Sequence, residues 1–87
     1  MNWSVYIILC TDDSLYTGVT TDMSRRYQQH AQGKGAKYFY GRKPKELVFL
    51  ENGHSKRTAC QREAAIKKLP KLKKLELIDL AKPLEFK

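Results

Sequence analysis

Two runs of strand-forming residues stand on either side of a polar turn near the beginning of the chain. The first run extends from Trp3 to Cys10 and the second from Leu15 to Thr20. Between them lies the sequence Thr-Asp-Asp-Ser, whose side chains favour turns. Aromatic and β-branched residues bounded by such a turn predict two antiparallel strands joined as a hairpin. The rest of the chain is therefore expected to pack on a sheet that contains this hairpin.

The rest of the chain alternates helical and strand patterns. The predicted elements after the hairpin are a helix at 23–32, a loop at 33–44, a strand at 46–51, a turn at 52–53 and helices at 56–69 and 71–81. Asp22 (or Thr21) and Ser55 are the expected N-caps, and Pro70 ends or kinks the second helix. The order β-β-α-β-α-α predicts an α+β fold with helices packed on a small sheet. The last helix is expected to turn four apolar residues inward: Leu72, Leu75, Ile78 and Leu80.

Length and charge limit the function. A chain of 87 residues predicts one domain, assigned to residues 1–82, followed by an irregular tail at 83–87. Seventeen Lys and Arg against nine Asp and Glu give a net charge of +8, which attracts polyanions such as nucleic acid. The alternative is a lysine-rich surface without a partner. The sequence has no apolar run of about 18 residues and no signal-peptide pattern, so we expect a cytoplasmic protein without a membrane span.

Tyrosines occur on both predicted strands of the hairpin. Tyr6 shares a face of the first strand with Ser4 and Ile8, and Tyr16 shares a face of the second with Gly18. The two phenols point to the same side of the sheet only if the loop has an odd length or a bulge interrupts the pairing. Taken alone, each tyrosine is an ordinary packing residue of a strand.

The first helix carries a cation and an imidazole one turn apart. Met23, Tyr27 and Ala31 form its expected apolar stripe, and Arg26 and His30 lie together along one flank of that stripe. Arginine can hold a phosphate bidentately, and histidine can transfer a proton near neutral pH. The alternative, which the helix alone favours, is a solvated flank.

The second helix places a carboxylate on an apolar stripe. Glu63 falls in line with Ala59 and Ile66. A carboxylate in such a position needs a partner or a metal ion, and Mg²⁺ often takes one or two carboxylates while keeping several waters. The alternative is an ordinary ion pair with Lys67, four residues further on.

These motifs together resemble the GIY-YIG nuclease superfamily. Ser4-Val5-Tyr6 and Tyr16-Thr17-Gly18 are similar to its signature, with Ser-Val in place of Gly-Ile and Thr in place of Ile. Arg26 follows the second tyrosine by ten residues, His30 stands one turn later, and Glu63 lies on a later helix, as in the family. The resemblance covers nearly the whole chain and extends to residues 33–38 and 43–48, which resemble the small stand-alone bacterial members.

The resemblance implies a three-stranded antiparallel sheet flanked by helices, and cleavage of phosphodiester bonds with one divalent ion, Mg²⁺ or Mn²⁺. In that scheme Glu63 holds the metal and Arg26 stabilises charge on the phosphate. Tyr16 or Tyr6 helps to deprotonate the attacking water, and His30 assists the proton transfer. A tyrosine can act as a base only if its pKa lies well below about 10, and a nearby cation would lower it.

The expected partner is nucleic acid, DNA or a structured form of it, bound by the protein's own surface, by a homodimer or with a partner protein. The basic loop, as we call residues 33–45, interleaves cations with Tyr38, Phe39 and Tyr40, a pattern that can bind phosphates and stack on unpaired bases. Its candidate contacts are Lys34, Lys37, Arg42, Lys43 and Lys45. The alternative is a solvated loop whose aromatic rings fold back on the core.

One departure from the family pattern keeps a second function open. Many active nucleases of the family have an asparagine after the metal-binding glutamate, and none follows Glu63 in this sequence. The alternatives to an endonuclease are a non-catalytic nucleic-acid-binding module that retains the fold and, as a weaker third, a protein-interaction domain.

Overall fold

The hairpin closes with a three-residue loop. In the computed structural model, which describes residues 2–81, β1 spans Trp3–Cys10 and β2 spans Leu15–Thr20. The amide of Cys10 donates to the Ser14 carbonyl, and the amide of Asp13 donates to the Cys10 carbonyl, both at 2.9 Å. Asp13 has a φ of 67°. A type I turn followed by a left-handed residue is the usual geometry of a three-residue hairpin loop.

The odd loop length sets which side chains share a face. Tyr6 lies opposite Gly18 and Ile8 lies opposite Tyr16 in the antiparallel register. Residues directly opposite each other in adjacent strands project to the same side of the sheet. Tyr6, Tyr16 and Gly18 are therefore on one face, which is the arrangement that a common site for the two phenols requires.

The third strand completes a sheet of order β2-β1-β3, with β3 (Pro44–His54) antiparallel to β1. It is longer than the predicted 46–51, and the turn predicted at Asn52-Gly53 is wrong, because both residues lie within the strand. The pairing changes from Trp3–His54 to Val5–Glu51, so β3 contains one extra residue at this point. A bulge of this kind absorbs turn-forming residues without ending a strand.

Three helices follow the predicted order: α1 (Met23–Ala31), α2 (Lys56–Lys67) and α3 (Lys71–Leu80). The Asp22 side chain caps α1, and Ser55 caps α2 in a reciprocal capping box with Thr58. The predicted loop before β3 contains a short 3₁₀ helix at Lys37–Phe39. The α+β class, the antiparallel sheet and the order β-β-α-β-α-α are confirmed.

The sheet separates two apolar clusters. One face of β1 packs with α2 and α3 through Val5, Ile7, Phe49, Ala59, Ile66 and Ile78. The other face contains Tyr6, Ile8, Cys10, Leu47 and Phe39, against which Met23 and Tyr27 of α1 pack. The helix α1 and the 3₁₀ helix therefore cover the face that carries the two tyrosines of the hairpin, and α2 with α3 cover the opposite face.

The inward orientation predicted for the leucines of α3 is wrong. Ile78 is buried as expected, but Leu72 and Leu80 are 74% and 85% exposed, and Leu75 is also exposed. The helix meets the core through Ile78 and its neighbour Leu77 instead. The predicted tail at 83–87 lies outside the described residues. Among residues 2–81, no helix has both the length and the apolar character needed to cross a membrane.

Candidate active site

The Tyr6 hydroxyl lies 2.8 Å from Nε2 of His30, and both side chains are fully buried. His30 is thus the buried residue of α1, whereas Ala31, expected on the apolar stripe, is exposed. The solvated flank that the helix alone favoured is therefore wrong for His30. A buried imidazole is tolerated because it has a hydrogen-bond partner, and because the Phe39 ring stacks on it with centroids 4.1 Å apart.

Burial fixes the protonation of this pair. It lowers the pKa of His30 to about 4, with the Arg26 cation adding to the effect, while the nearby Lys34 backbone raises that pKa slightly. His30 is therefore neutral at pH 7, and in the tautomer whose Nε2 is unprotonated the Tyr6 hydroxyl donates the hydrogen bond to Nε2. The proton of the ring is then on Nδ1, which reaches hydrogen-bond geometry with no group among residues 2–81.

The pKa of Tyr6 is raised to about 12, mainly by burial. Arg26 lowers it, as the sequence led us to expect of a nearby cation, but burial has the larger effect. The negative charges that Tyr16 and Glu63 can carry raise it further. The expectation of a lowered tyrosine pKa is wrong for Tyr6, because a buried phenolate would lose its hydration.

Tyr16 is the half-buried phenol of the site. Its ring lies 6.2 Å from that of Tyr6 and 5.3 Å from that of His30, measured between centroids. Tyr38 and Phe39 contact its ring from the basic loop at 5.1 and 5.0 Å. Tyr16 thus lies between the buried pair and the surface. Of the two hairpin tyrosines, it is the one that solvent can reach.

Gly18 makes room for both phenols. A Cβ atom at this position would lie 2.5 Å from the Tyr6 hydroxyl oxygen and 3.1 Å from a ring carbon of Tyr16. Side chains do not approach each other so closely, so the Tyr6 ring occupies the space that any other residue at position 18 would fill. The glycine of the Tyr-Thr-Gly motif is therefore required by packing on this face of the sheet.

Arg26 is half-buried beside the tyrosine–histidine pair. Its Nη1 donates to Oε1 of Gln29 at 3.0 Å, and its buried Nε has no hydrogen-bond partner within residues 2–81. Its charge reaches both Tyr6 and His30. Arg26 and Gln29 also line an open groove beside Arg25.

Glu63 lies on α2, which packs against β1 and β2 on the other side of the sheet from the two tyrosines. Its side chain is 23% exposed and forms an ion pair with Lys67 at 3.1 Å. Its carboxylate acts on the pKa of Tyr6 electrostatically. Residues 2–81 contain no cluster of three potential metal ligands. A single accessible carboxylate nevertheless fits an ion that keeps most of its waters, as Mg²⁺ does.

The basic loop presents four lysines and one exposed ring. Lys34, Lys37, Lys43 and Lys45 are exposed. Tyr40 is 74% exposed, whereas Phe39 is buried and Tyr38 is half-buried against Tyr16. The alternative of rings folded back on the core therefore holds for two of the three aromatic residues.

Arg42, the fifth predicted contact of the basic loop, has intramolecular partners. Its Nε donates to Asp12 at 2.8 Å, and its guanidinium lies 4.2 Å from the centroid of the Tyr38 ring. It therefore fastens the basic loop to the hairpin.

Two residues of the site were not recognised in the sequence. Phe39 stacks on His30, and Gln29 accepts a hydrogen bond from Arg26. Gln29 follows Arg26 by three residues, a helical spacing at which side chains meet, so the sequence contained a signal for it. The contact of Phe39 joins a loop to a helix, and no local pattern indicates it.

Comparison with known proteins yields consistent matches. The family model described as the GIY-YIG catalytic domain matches residues 2–76. The UPF0213 protein of Oceanobacillus iheyensis is 48% identical over 75 residues, which cover 86% of this chain and 87% of that protein. The UPF0213 protein of Natronomonas pharaonis is 50% identical over 74 residues, covering 85% and 87%. The solution NMR structure of the UPF0213 protein BH0048 from Bacillus halodurans is 48% identical, covers 95% of this chain and 89% of that chain, and has a TM-score of 0.61.

Proposed function

This chain belongs to the GIY-YIG family, and from that membership we propose that it is a metal-dependent endonuclease that hydrolyses phosphodiester bonds in DNA or structured nucleic acid. The observation that carries the proposal is the hydrogen bond between Tyr6 and His30, with Tyr16 and Arg26 beside it. A phenol, an imidazole and a guanidinium that act on one another are an unusual choice for a structural core.

The side chains that are accessible from solvent would contact the substrate. Arg26 lines a groove and would hold the phosphate, offsetting the charge that builds on its oxygens in the transition state. Tyr16 is half-buried and would contact the attacking water, since Tyr6 is fully buried. The lysines of the basic loop would bind neighbouring phosphates.

The buried pair would respond to the substrate. The Arg26 cation is the second cause of the low pKa of His30. A phosphate bound to Arg26 would neutralise part of that charge and raise the pKa of His30, making the imidazole a better proton acceptor. Tyr6 would keep its proton in that state, because the loss of the Arg26 charge raises its pKa as well, and Tyr16 lies next to both rings.

Glu63 would hold the divalent ion, which when bound lowers the pKa of a coordinated water and stabilises charge on the phosphate. To bind it, the carboxylate must exchange its ion pair with Lys67 for the metal. Lys67 is largely exposed, so this exchange releases a solvated side chain and breaks no buried contact.

A second function is favoured by specific observations. Tyr6 and His30 are fully buried and hydrogen-bonded to each other, Glu63 is paired with Lys67, and no asparagine follows Glu63. These features fit a nucleic-acid-binding module that keeps the fold without catalysis.

The two functions are separated by single substitutions. We expect Arg26→Ala and Glu63→Ala to abolish cleavage of branched, nicked and single-stranded DNA in Mg²⁺ or Mn²⁺, with folding and most DNA binding unchanged. The matched controls are Arg57→Ala and Glu76→Ala, which change exposed residues of the same types away from the groove that Arg26 lines. Equal cleavage by all five proteins would indicate a contaminating nuclease. If the wild type binds DNA but cleaves none of these substrates in either Mg²⁺ or Mn²⁺, the binding module is the correct function.

A further inference from the structure

We propose that Gln29 and Gly35 are positioning residues that hold the Arg26 guanidinium against Tyr6 and His30, ready for a phosphate group. The inference deepens the proposed function and rests on it, because it concerns the same site. Arginine side chains are long and flexible, and one that must act on a single phosphate gains from being fixed before the substrate arrives.

Gln29 holds the guanidinium from the same helix. Its Oε1 accepts a hydrogen bond from Nη1 of Arg26 at 3.0 Å. Both side chains are half-buried, and both line the groove beside Arg25. The hydrogen bond selects one orientation of the planar guanidinium, since Nη1 must face the amide oxygen.

Gly35 leaves the space that the Arg26 guanidinium occupies. A Cβ atom built on this glycine would lie 2.7 Å from Nη1 and 3.2 Å from Cζ of Arg26. The residue has a φ of 92°, a backbone conformation that other residues rarely adopt. Hydrogen bonds fix the turn that brings it there, from the Gly33 amide to the His30 carbonyl and from the Lys34 amide to the Gln29 carbonyl.

The electrostatic effects on the buried pair depend on this placement. The cation lowers the pKa of His30 and opposes the increase in the pKa of Tyr6. A guanidinium that sampled many rotamers in solvent would have little influence on either group. Gln29 and Gly35 contribute to the fixed position, in addition to the interaction of Arg26 with the Tyr6 side chain.

Kinetics test the inference through Gly35→Ala and Gln29→Met. In Gly35→Ala the new methyl group displaces the guanidinium, and in Gln29→Met the acceptor is lost with little change in side-chain length. We expect kcat to fall about tenfold in each, with KM within about twofold of the wild-type value, because the interaction matters most in the transition state. Gln29→Glu keeps an oxygen acceptor and restores most of kcat.

Gly33→Ala is the matched control for Gly35→Ala. Gly33 also has a positive φ, of 75°, but the nearest atom to a Cβ there is the Phe39 carbonyl oxygen, at an ordinary 3.5 Å. The control therefore introduces similar backbone strain without touching Arg26. Equal loss of kcat in the two glycine variants would overturn the role of Gly35, since strain alone would explain it.

Hydrogen exchange of the Arg26 Nε proton, followed by NMR, gives a measurement that needs no nuclease activity. Nε is buried in the wild type, so its proton is shielded from solvent. We expect exchange at least about tenfold faster in Gly35→Ala and Gln29→Met and unchanged in Gly33→Ala. Wild-type exchange in the first two variants would overturn the inference even if Arg26→Ala abolishes cleavage. If no substrate is cleaved, the proposed function fails, and the exchange rates still decide whether the two residues position Arg26.

Discussion

The hydrogen bond of 2.8 Å between the Tyr6 hydroxyl and Nε2 of His30 ties β1 to α1 within the core. It requires a neutral imidazole, and burial lowers the pKa of His30 to about 4, from an ordinary value of 6.5. The folded state therefore binds fewer protons than the unfolded state at a pH between these two values.

Acid should destabilise the protein through His30. As the pH falls from 6.5 to 4, the unfolded histidine takes up a proton and the folded one does not, so we expect the free energy of unfolding to decrease by about 3 kcal/mol. Urea unfolding at several pH values measures this change. His30→Gln should remove this component. His54→Gln should keep the decrease with pH. If the decrease disappears in His54→Gln, it arises from His54 and not from His30.

Gly18 should not tolerate a methyl group. We expect Gly18→Ala to lower the free energy of unfolding by about 1–3 kcal/mol, because the new Cβ would overlap the Tyr6 hydroxyl and force the ring to move. Chemical denaturation measures the loss. Gly41→Ala is the control, since nothing lies within 4 Å of a Cβ at that position. Equal stability of the two variants would mean that the Tyr6 ring moves aside freely.

Lys67 should compete with the metal ion for Glu63. We expect Lys67→Met to lower the Mg²⁺ concentration for half-maximal activity by about two- to threefold, which is the size of effect that an exposed ion pair produces. A Mg²⁺ titration of the cleavage rate measures it. Lys68→Met removes the adjacent exposed lysine, which forms no ion pair within residues 2–81. The same shift in both variants would reflect overall charge and not the Glu63 carboxylate.

The cations of the basic loop should differ in function. We expect Lys37→Gln and Lys43→Gln each to reduce the slope of log affinity against log salt concentration by about 0.7–0.9, because each releases one counterion fewer from the nucleic acid. Fluorescence anisotropy with labelled DNA at several salt concentrations measures the slopes. Arg42→Gln should leave the slope unchanged and reduce stability, since Arg42 is bound to Asp12 and Tyr38. A slope change for Arg42 as large as that for the lysines would place it among the phosphate contacts.

Local signals in the sequence were sufficient for most of the fold. The strand-forming residues of Trp3–Cys10, the N-cap at Ser55 and the break at Pro70 are local signals, and the expected elements formed there. The turn predicted at Asn52-Gly53 was wrong because these residue types also occur in β-bulges. Only the pairing with β1 decides between a turn and a bulge. The leucines of α3 misled because helical spacing shows that a face is apolar but not whether another element covers it.

The sequence was sufficient to predict which residues are candidates for the site, but not how deeply each is buried or how its pKa is shifted. Spacing and motif brought Tyr6, Tyr16, Arg26, His30 and Glu63 forward. The complete burial of His30 depends on Phe39, which arrives from a loop nine residues later. The high pKa of Tyr6 depends on how far burial exceeds the effect of Arg26, a balance set by packing in three dimensions.

The three residues between Cys10 and Ser14 have a consequence for how the chain can vary. If one residue were inserted or deleted there and the loop kept three residues, the register would shift by one residue, and Thr17 and Val19 would replace Tyr16 and Gly18 beneath α1. The aromatic cluster would then lose one of its members, and the Tyr6 ring would meet a side chain where it now meets none. A change of length at this hairpin tip is therefore compatible with the site only when the loop absorbs it and Tyr6 stays opposite Gly18.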